Sequence, residues 1–238
     1  MIQRILSVLL LLLCFANDAR TQNETGRNAR LHIKPTEDFD ISGDGSNPAW
    51  KKAEWITLSR IKGTSPYTTR VRLLYSATGI YAFYNCEDKK INATLREDFS
   101  RLWTEDVIEM FLWPDESHPL YLEYELSPLA YELAILVPNI NGQSAGWMPW
   151  HYEGNKKTRK ATKTLRGSDG EITGWTGEFF IPYALLRPLP NVPPKKGTEW
   201  RANVYRIDYD DAESAYWSWQ PVNNNFHEFQ KYGTFVFD

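Results

Sequence analysis

Short runs of alternating side chains, separated by turns, fill the chain from Thr69 onward, and this rhythm restricts the fold more than any other feature. A period of two places successive side chains on opposite faces of a strand. The sharpest case is Asp106-Val-Ile-Glu-Met-Phe-Leu112, where Asp106, Ile108, Met110 and Leu112 alternate with Val107, Glu109 and Phe111. Both sets contain apolar residues, so this strand is expected to be covered on both faces. Asp106 and Glu109 are then not there for solubility alone. Trp103 stands just ahead, where the chain is still turning. An aromatic plate beside two carboxylates at the mouth of a sheet is an arrangement for binding a ligand.

The same pattern recurs along the sequence. Thr69 to Tyr75 and Ile80 to Cys86 flank Thr78-Gly79 and read as a hairpin. Leu120 to Leu126 leads through Ser127-Pro128 into Tyr131 to Val137. Ala161 to Leu165, Trp175 to Ile181, Glu199 to Ile207, Tyr216 to Trp219 and Gly233 to Phe237 continue the series. Helical signals are confined to two places. Asn47 and Pro48 read as the cap and first position of a turn carrying Ala49, Trp50 and Ala53, and Pro182-Tyr-Ala-Leu-Leu186 reads as a short helix. Roughly ten to twelve short strands with turns between them predict an all-β sandwich. No repeat or long internal linker divides it, so one domain is expected.

Residues 1–19 read as a secretory signal peptide. Arg4 supplies the charge, Ile5 to Phe15 the apolar run, and Ala16 and Ala19 the small residues at cleavage. That run is short of the roughly 20 residues of a membrane span. Cys14 offers lipid attachment as a lesser alternative, with bulky Leu13 before it unfavourable. Export to the periplasm, cell surface or medium is the expectation. Residues 20–34 are polar and read as a spacer, and 35–238 as the domain. After cleavage Cys86 is the only cysteine left, which excludes an intramolecular disulfide and reads as a small buried apolar side chain. The net charge of −3 gives no electrostatic footprint for nucleic acid or an anionic membrane. Ten tryptophans in an exported β-protein lean towards sugars, whose apolar faces stack on rings.

The order of these segments resembles a carbohydrate-binding module of family 9. The landmarks are the turn from Ile41 to Trp50, the Ile80-Tyr-Ala-Phe83 hairpin ending near Asp88, and Leu102-Trp103 through Phe111. They continue through Tyr121-Leu-Glu-Tyr-Glu-Leu-Ser-Pro128, Gly174-Trp175 to Pro182, Gly197-Thr-Glu-Trp200-Arg-Ala-Asn203, Trp219-Gln-Pro221, Asn223 to His227 and Tyr232-Gly233. The resemblance implies a jelly-roll-like antiparallel β-sandwich that binds sugar ends in a slot between two aromatic side chains. One plate falls on Trp103 and the other on Phe226, where known sugar binders of the family have tryptophan. Polar contacts fall on Glu109 and Asn223. Glu123 stands where those binders place an arginine. The module implied is non-catalytic and exported, supports polysaccharide breakdown or uptake, and works beside separate secreted or periplasmic glycoside hydrolases. Two plates and a few hydrogen bonds correspond to micromolar to millimolar affinity, about −4 to −8 kcal/mol.

Other readings of the same residues remain open. Glu109, Glu123 and Glu125 contain the paired carboxylates a glycosidase needs, and positions 123 and 125 share a strand face about 7 Å apart. Ion pairs with Arg201 or Arg206 are the alternative use for them. A haem b-binding electron-transfer domain of similar sandwich fold would draw on Met110, Met148 and His151. The four histidines, His32, His118, His151 and His227, show no metal-binding spacing. No cofactor is expected. Structural calcium is the one metal reading, through Asp40 and Asp44 or Asp208, Asp210 and Asp211, although neither set has the spacing of a calcium loop. The glycosylation sequons at Asn23 and Asn92 read as incidental.

Overall fold

The computed structural model describes residues 29–150, 153–210, 213–223 and 225–238. The expected signal peptide with Cys14, the sequon at Asn23, most of the spacer, His151 and Asp211 lie outside the described residues. The first strands are β1 (Arg30–Pro35), β2 (Ile56–Thr57), β3 (Ser59–Lys62), β4 (Thr69–Tyr75) and β5 (Gly79–Glu87). Next come β6 (Val107–Trp113), β7 (Leu120–Leu126), β8 (Glu132–Ile140), β9 (Gln143–Ser144) and β10 (Met148–Pro149). β11 (Arg159–Arg166) and β12 (Ile172–Pro182) precede the one α-helix among the described residues, α1 (Tyr183–Leu186). β13 (Glu199–Asp208), β14 (Ala215–Ser218) and β15 (Gly233–Phe237) close the chain.

The strands form an open path, β10-β8-β7-β6-β13-β15-β1-β4-β5-β12-β11. It doubles over at β1. Arg30 to Ile33 pair with β15, and Lys34 and Pro35 pair with β4, so this strand leaves one layer and joins the other. Ile108, Met110 and Leu112 of β6 and Leu122, Tyr124 and Leu126 of β7 meet Val71, Ala82, Tyr84, Phe179 and Ile181 in one buried core. The result is a two-layer β-sandwich. Two findings adjust the expectation. The pairings of β1 are parallel, whereas its neighbours are joined antiparallel. The folded unit also begins inside the supposed spacer. β1 buries only Ile33, so it carries no alternation from which a strand could be read. No helix among the described residues is long and apolar enough to cross a membrane.

Cys86 is fully buried, and burial pushes its thiol up to about 12, which leaves it unreactive. The Asn47 side chain caps a 3-10 turn, Pro48–Lys52, by accepting from the Ala49 N–H at 3.0 Å. The loop before that turn is fastened by Glu178 of β12. This buried carboxylate accepts from the backbone N–H groups of Ser42 (3.0 Å) and Gly43 (2.7 Å) and from the Trp50 indole (2.8 Å). Gly45 is required beside it, because its φ is +65° and a Cβ there would lie 2.1 Å from the Phe83 ring. Glu178→Ala strands these donors, and hydrogen bonds to charged groups contribute about 1.5–3 kcal/mol each. We expect its thermal midpoint to fall by about 10 °C, at roughly 2–4 °C per kcal/mol for a chain of this size. A fall under about 2 °C in a calorimetric scan would mean that Glu178 does not hold the loop.

Candidate functional site

The pleat of β6 directs Val107, Glu109, Phe111 and Trp113 to the face away from the inter-layer core, and β7 directs Tyr121, Glu123 and Glu125 to the same face. From β13 come Tyr205 and Ile207. Side chains from four loops and β14 wall this face into a basin of about 370 Å³. That volume suits a small ligand.

Trp103 rises from a 3-10 turn, Leu102–Thr104, whose Leu102 is fully buried beneath it. The turn is braced from two sides. The Tyr209 hydroxyl donates to the Trp103 carbonyl at 2.7 Å, and Asp106 accepts from the backbone N–H of Tyr209 (2.9 Å) and of Asn92 (2.6 Å). Asp106 thus holds the loops in place and does not line the basin. Trp147, 44% exposed, meets Trp103 in a T-shaped contact at a centroid distance of 5.7 Å and 76° between planes.

Phe226 also lines the basin. Its ring stacks on Tyr205 at 4.0 Å and 10°, with Tyr216 edge-on at 5.4 Å. One face of Phe226 is therefore already covered, leaving it 8% exposed. The Phe226 carbonyl accepts from the hydroxyls of Tyr205 (3.0 Å) and Tyr232 (2.9 Å). Asn203 joins the loop to the sheet, donating to Tyr205 Oη at 2.8 Å and to the Gln220 carbonyl at 2.9 Å.

Three carboxyls form the base. Glu109 lies directly across from Glu125 in the β6–β7 ladder, and Glu123 across from Phe111. Glu109 and Glu123 line the basin, 2% and 4% exposed, and Glu125 is fully buried beside them. Burial, and then the neighbouring Glu123 charge, raise Glu109 well above the usual carboxylate range. Burial likewise lifts Glu123 to about 7, and burial with both neighbours raises Glu125. The Glu125 carboxyl lies close to Glu123 and to the Trp103 backbone N–H. Neither its oxygens nor Glu123 Oε2 meets a well-formed hydrogen bond among the described residues. His227 Nδ1 is 3.8 Å from Glu123 Oε2 and shares a 2.8 Å hydrogen bond with the Tyr121 hydroxyl, and burial lowers its pKa.

Of the residues expected from sequence, Trp103, Glu109, Glu123 and Phe226 come together in this basin. Asn223 does not. It lines the adjoining groove with Ile61, Lys62 and Val222, while Asn225 reaches the basin itself. The sequence reading missed Trp147, Tyr209, Tyr216 and His227. The proposed arginine partners also lie elsewhere. Arg206 occupies the opposite parity of β13 from Tyr205, so it points into the sandwich, donates to Asp88 Oδ2 at 3.0 Å and also pairs with Asp208. Arg201 lies towards the far end of β13, 3.6 Å from Glu116. For the haem reading, Met110 is enclosed in the core and Met148 is 53% exposed.

The carboxylates of Asp88, Asp208 and Asp210 approach within 4.8 Å of one another. Arg206 already stands between two of them, and Tyr67 and Asn92 donate to Asp210 at 2.7 and 2.9 Å. These carboxylates are thereby partnered from within the chain. Asp44 accepts from Ser42, Ser46 and Lys163, and Asp40 lies 3.2 Å from Arg159.

Residues 41–238 match the carbohydrate family 9 binding domain-like family. A comparison with curated proteins gives no match. Among solved structures, a candidate carbohydrate-binding protein from Bacteroides uniformis superposes with a TM-score of 0.74 at 17% identity, covering 89% of this chain and 100% of that one. A family 9 carbohydrate-binding module from Caldicellulosiruptor kristjanssonii in complex with cellotriose gives 0.63 at 14% identity, covering 88% and 94%. The same type of module from that organism in complex with glucose gives 0.63 at 15%, covering 88% and 96%.

Proposed function

The chain belongs to the carbohydrate family 9 binding domain-like family, and from that premise we propose that it is an exported, non-catalytic module that binds a sugar in the Trp103–Phe226 basin. The observation that carries this reading is convergence. Trp103 and Glu109, Glu123, and Phe226 come from three separate stretches of sequence and share one concave surface of suitable volume. Family 9 modules of the same fold hold glucose and cellotriose.

In this reading Trp103 supplies the plate on which an apolar sugar face stacks, and Phe226, fixed by Tyr205, forms the opposite wall. Glu109 and Glu123 meet the hydroxyl groups, and Asn223 contacts parts of a longer ligand that extend into the adjoining groove. Export places the module beside secreted hydrolases, where it would hold polysaccharide or its fragments.

The test is Trp103→Ala, titrated by tryptophan fluorescence with the tightest-binding member of a panel of mono- and oligosaccharides. The variant is expected to lose sugar-induced quenching, with its thermal midpoint within about 2 °C of the parent. Trp103 is only partly buried, and substitutions outside the core usually shift stability by no more than about 0.5 kcal/mol. If the variant unfolds or melts several degrees lower, Trp103 is structural and the site is wrongly placed.

A further inference from the structure

We infer that the sugar received by this basin carries a free protonated amine, so that the ligand class is an amino sugar and the ammonium group sits on Glu123. The inference rests on the basin being a sugar site and adds which sugar it selects.

Glu123 is 4% exposed and lines the basin, and its Oε2 meets no well-formed hydrogen bond among the described residues, its near neighbour being the Glu125 carboxyl. A buried acceptor left without a donor is costly, and more so when it is charged. Glu109 and Glu125 stand beside it, and burial favours the protonated form of both, so the ionised charge of the three carboxyls falls on Glu123. The described lining includes neither lysine nor arginine to balance them. Its one basic side chain, His227, is tied to the Tyr121 hydroxyl, and burial favours its neutral form. The other titratable groups facing Glu123 are Tyr121, Tyr205 and Tyr232, all held neutral by burial.

Three ligand chemistries can be compared on this surface. A uronate would bring a second anion against Glu123 and is disfavoured. A neutral sugar offers hydroxyl donors but leaves the charge on Glu123 uncompensated. An ammonium group supplies three donors and the missing positive charge, and charge-assisted hydrogen bonds are roughly twice as strong as neutral ones. The walls favour the same choice. Trp103, Trp147 and Tyr209 present aromatic surface around the basin, and a ring face attracts a cation, as the Tyr216 ring already does with Lys62 at 4.6 Å. The ring can stack on the sugar while the carboxyls hold its amine.

The experiment is calorimetric titration of the mature chain at pH 7 with glucose, glucosamine, N-acetylglucosamine and glucuronate. Glucosamine is expected to bind at least about tenfold tighter than glucose or N-acetylglucosamine, with glucuronate weakest; tenfold corresponds to about 1.4 kcal/mol. In Glu123→Gln the free-amine advantage should fall below about threefold, with a melting curve confirming that the variant is folded. If glucose binds as tightly as glucosamine and Trp103→Ala abolishes both, the amine inference fails while the sugar site stands. A tenfold advantage that survives in Glu123→Gln also overturns the inference, because the amine then has another partner. If none of the four sugars binds, the inference and the sugar reading on which it rests both fall.

Discussion

Arg206→Met is expected to lower stability by about 3–5 kcal/mol, the range for removing one partner of a buried ion pair. The Arg206 guanidinium is fully buried and donates to the Glu87 carbonyl at 2.7 Å, to Thr69 Oγ1 at 3.2 Å and to Asp88 Oδ2 at 3.0 Å, while also pairing with Asp208. It lies 5.0 Å from the Trp217 ring. One side chain thereby joins β13, in one layer, to β4 and the end of β5 in the other. Burial already pushes Asp88 up to about 8, and Arg206 is the largest influence pulling it down. Methionine fills much of the same space but removes that pull, so Asp88 must be protonated to remain buried. The deficit should therefore grow as pH rises. At roughly 2–4 °C per kcal/mol, the midpoint at pH 7.5 falls by about 10 °C or more. A variant melting within about 2 °C of the parent would show that the cation is dispensable and the layers are joined by apolar packing alone.

Glu123→Gln should act in the opposite direction, and only at the higher pH. Burial raises the Glu123 carboxyl from the 4.5 of a free glutamate to about 7. The native state therefore holds this proton over a pH range in which the unfolded chain has released it, and stability declines as pH rises through that range. Below about pH 4.5 both states are protonated and the group costs nothing. Above about pH 7 the cost is complete, on the order of 3 kcal/mol at 1.36 kcal/mol per pH unit. Glutamine keeps the shape and removes the titration. In urea unfolding, the variant is expected to match the parent near pH 4.5 and to exceed it by up to about 3 kcal/mol at pH 8. An equal difference at both pH values would contradict the burial-driven shift. Such a cost is what a ligand-binding group retained against stability would show.

Much of this arrangement is visible in the sequence because a strand has a strict period. The alternation from Val107 to Leu112 places Glu109 and Phe111 on one face and Met110 on the other, and the structure has the same division. The same parity, applied to β13, separates Arg206 from Tyr205 and removes it as a partner for Glu109. What the sequence could not show lies in segments without a period. Tyr209 and Trp147 sit in loops, and their direction is decided by tertiary bonds such as Asp106 to the Tyr209 backbone. Asn223 and Asn225 are indistinguishable in a polar run, and only the curl of the loop brings Asn225 into the basin. The Tyr205 ring covering Phe226 depends on two residues more than 20 positions apart. β1 was hidden because it buries a single side chain and joins both layers by its backbone.

The central claim, that sugar binds in the Trp103–Phe226 basin, is tested most directly through the indole N–H resonances of the protein. Each tryptophan gives one such signal, and Trp103 and Trp147 are the two that line the basin. Titration with the tightest-binding sugar of the panel is expected to shift those two resonances in a saturable, concerted way and to leave the buried Trp50, Trp175, Trp200 and Trp217 unmoved. Saturable binding that leaves Trp103 and Trp147 unshifted and moves other indoles would place the sugar elsewhere on the sandwich and contradict the account.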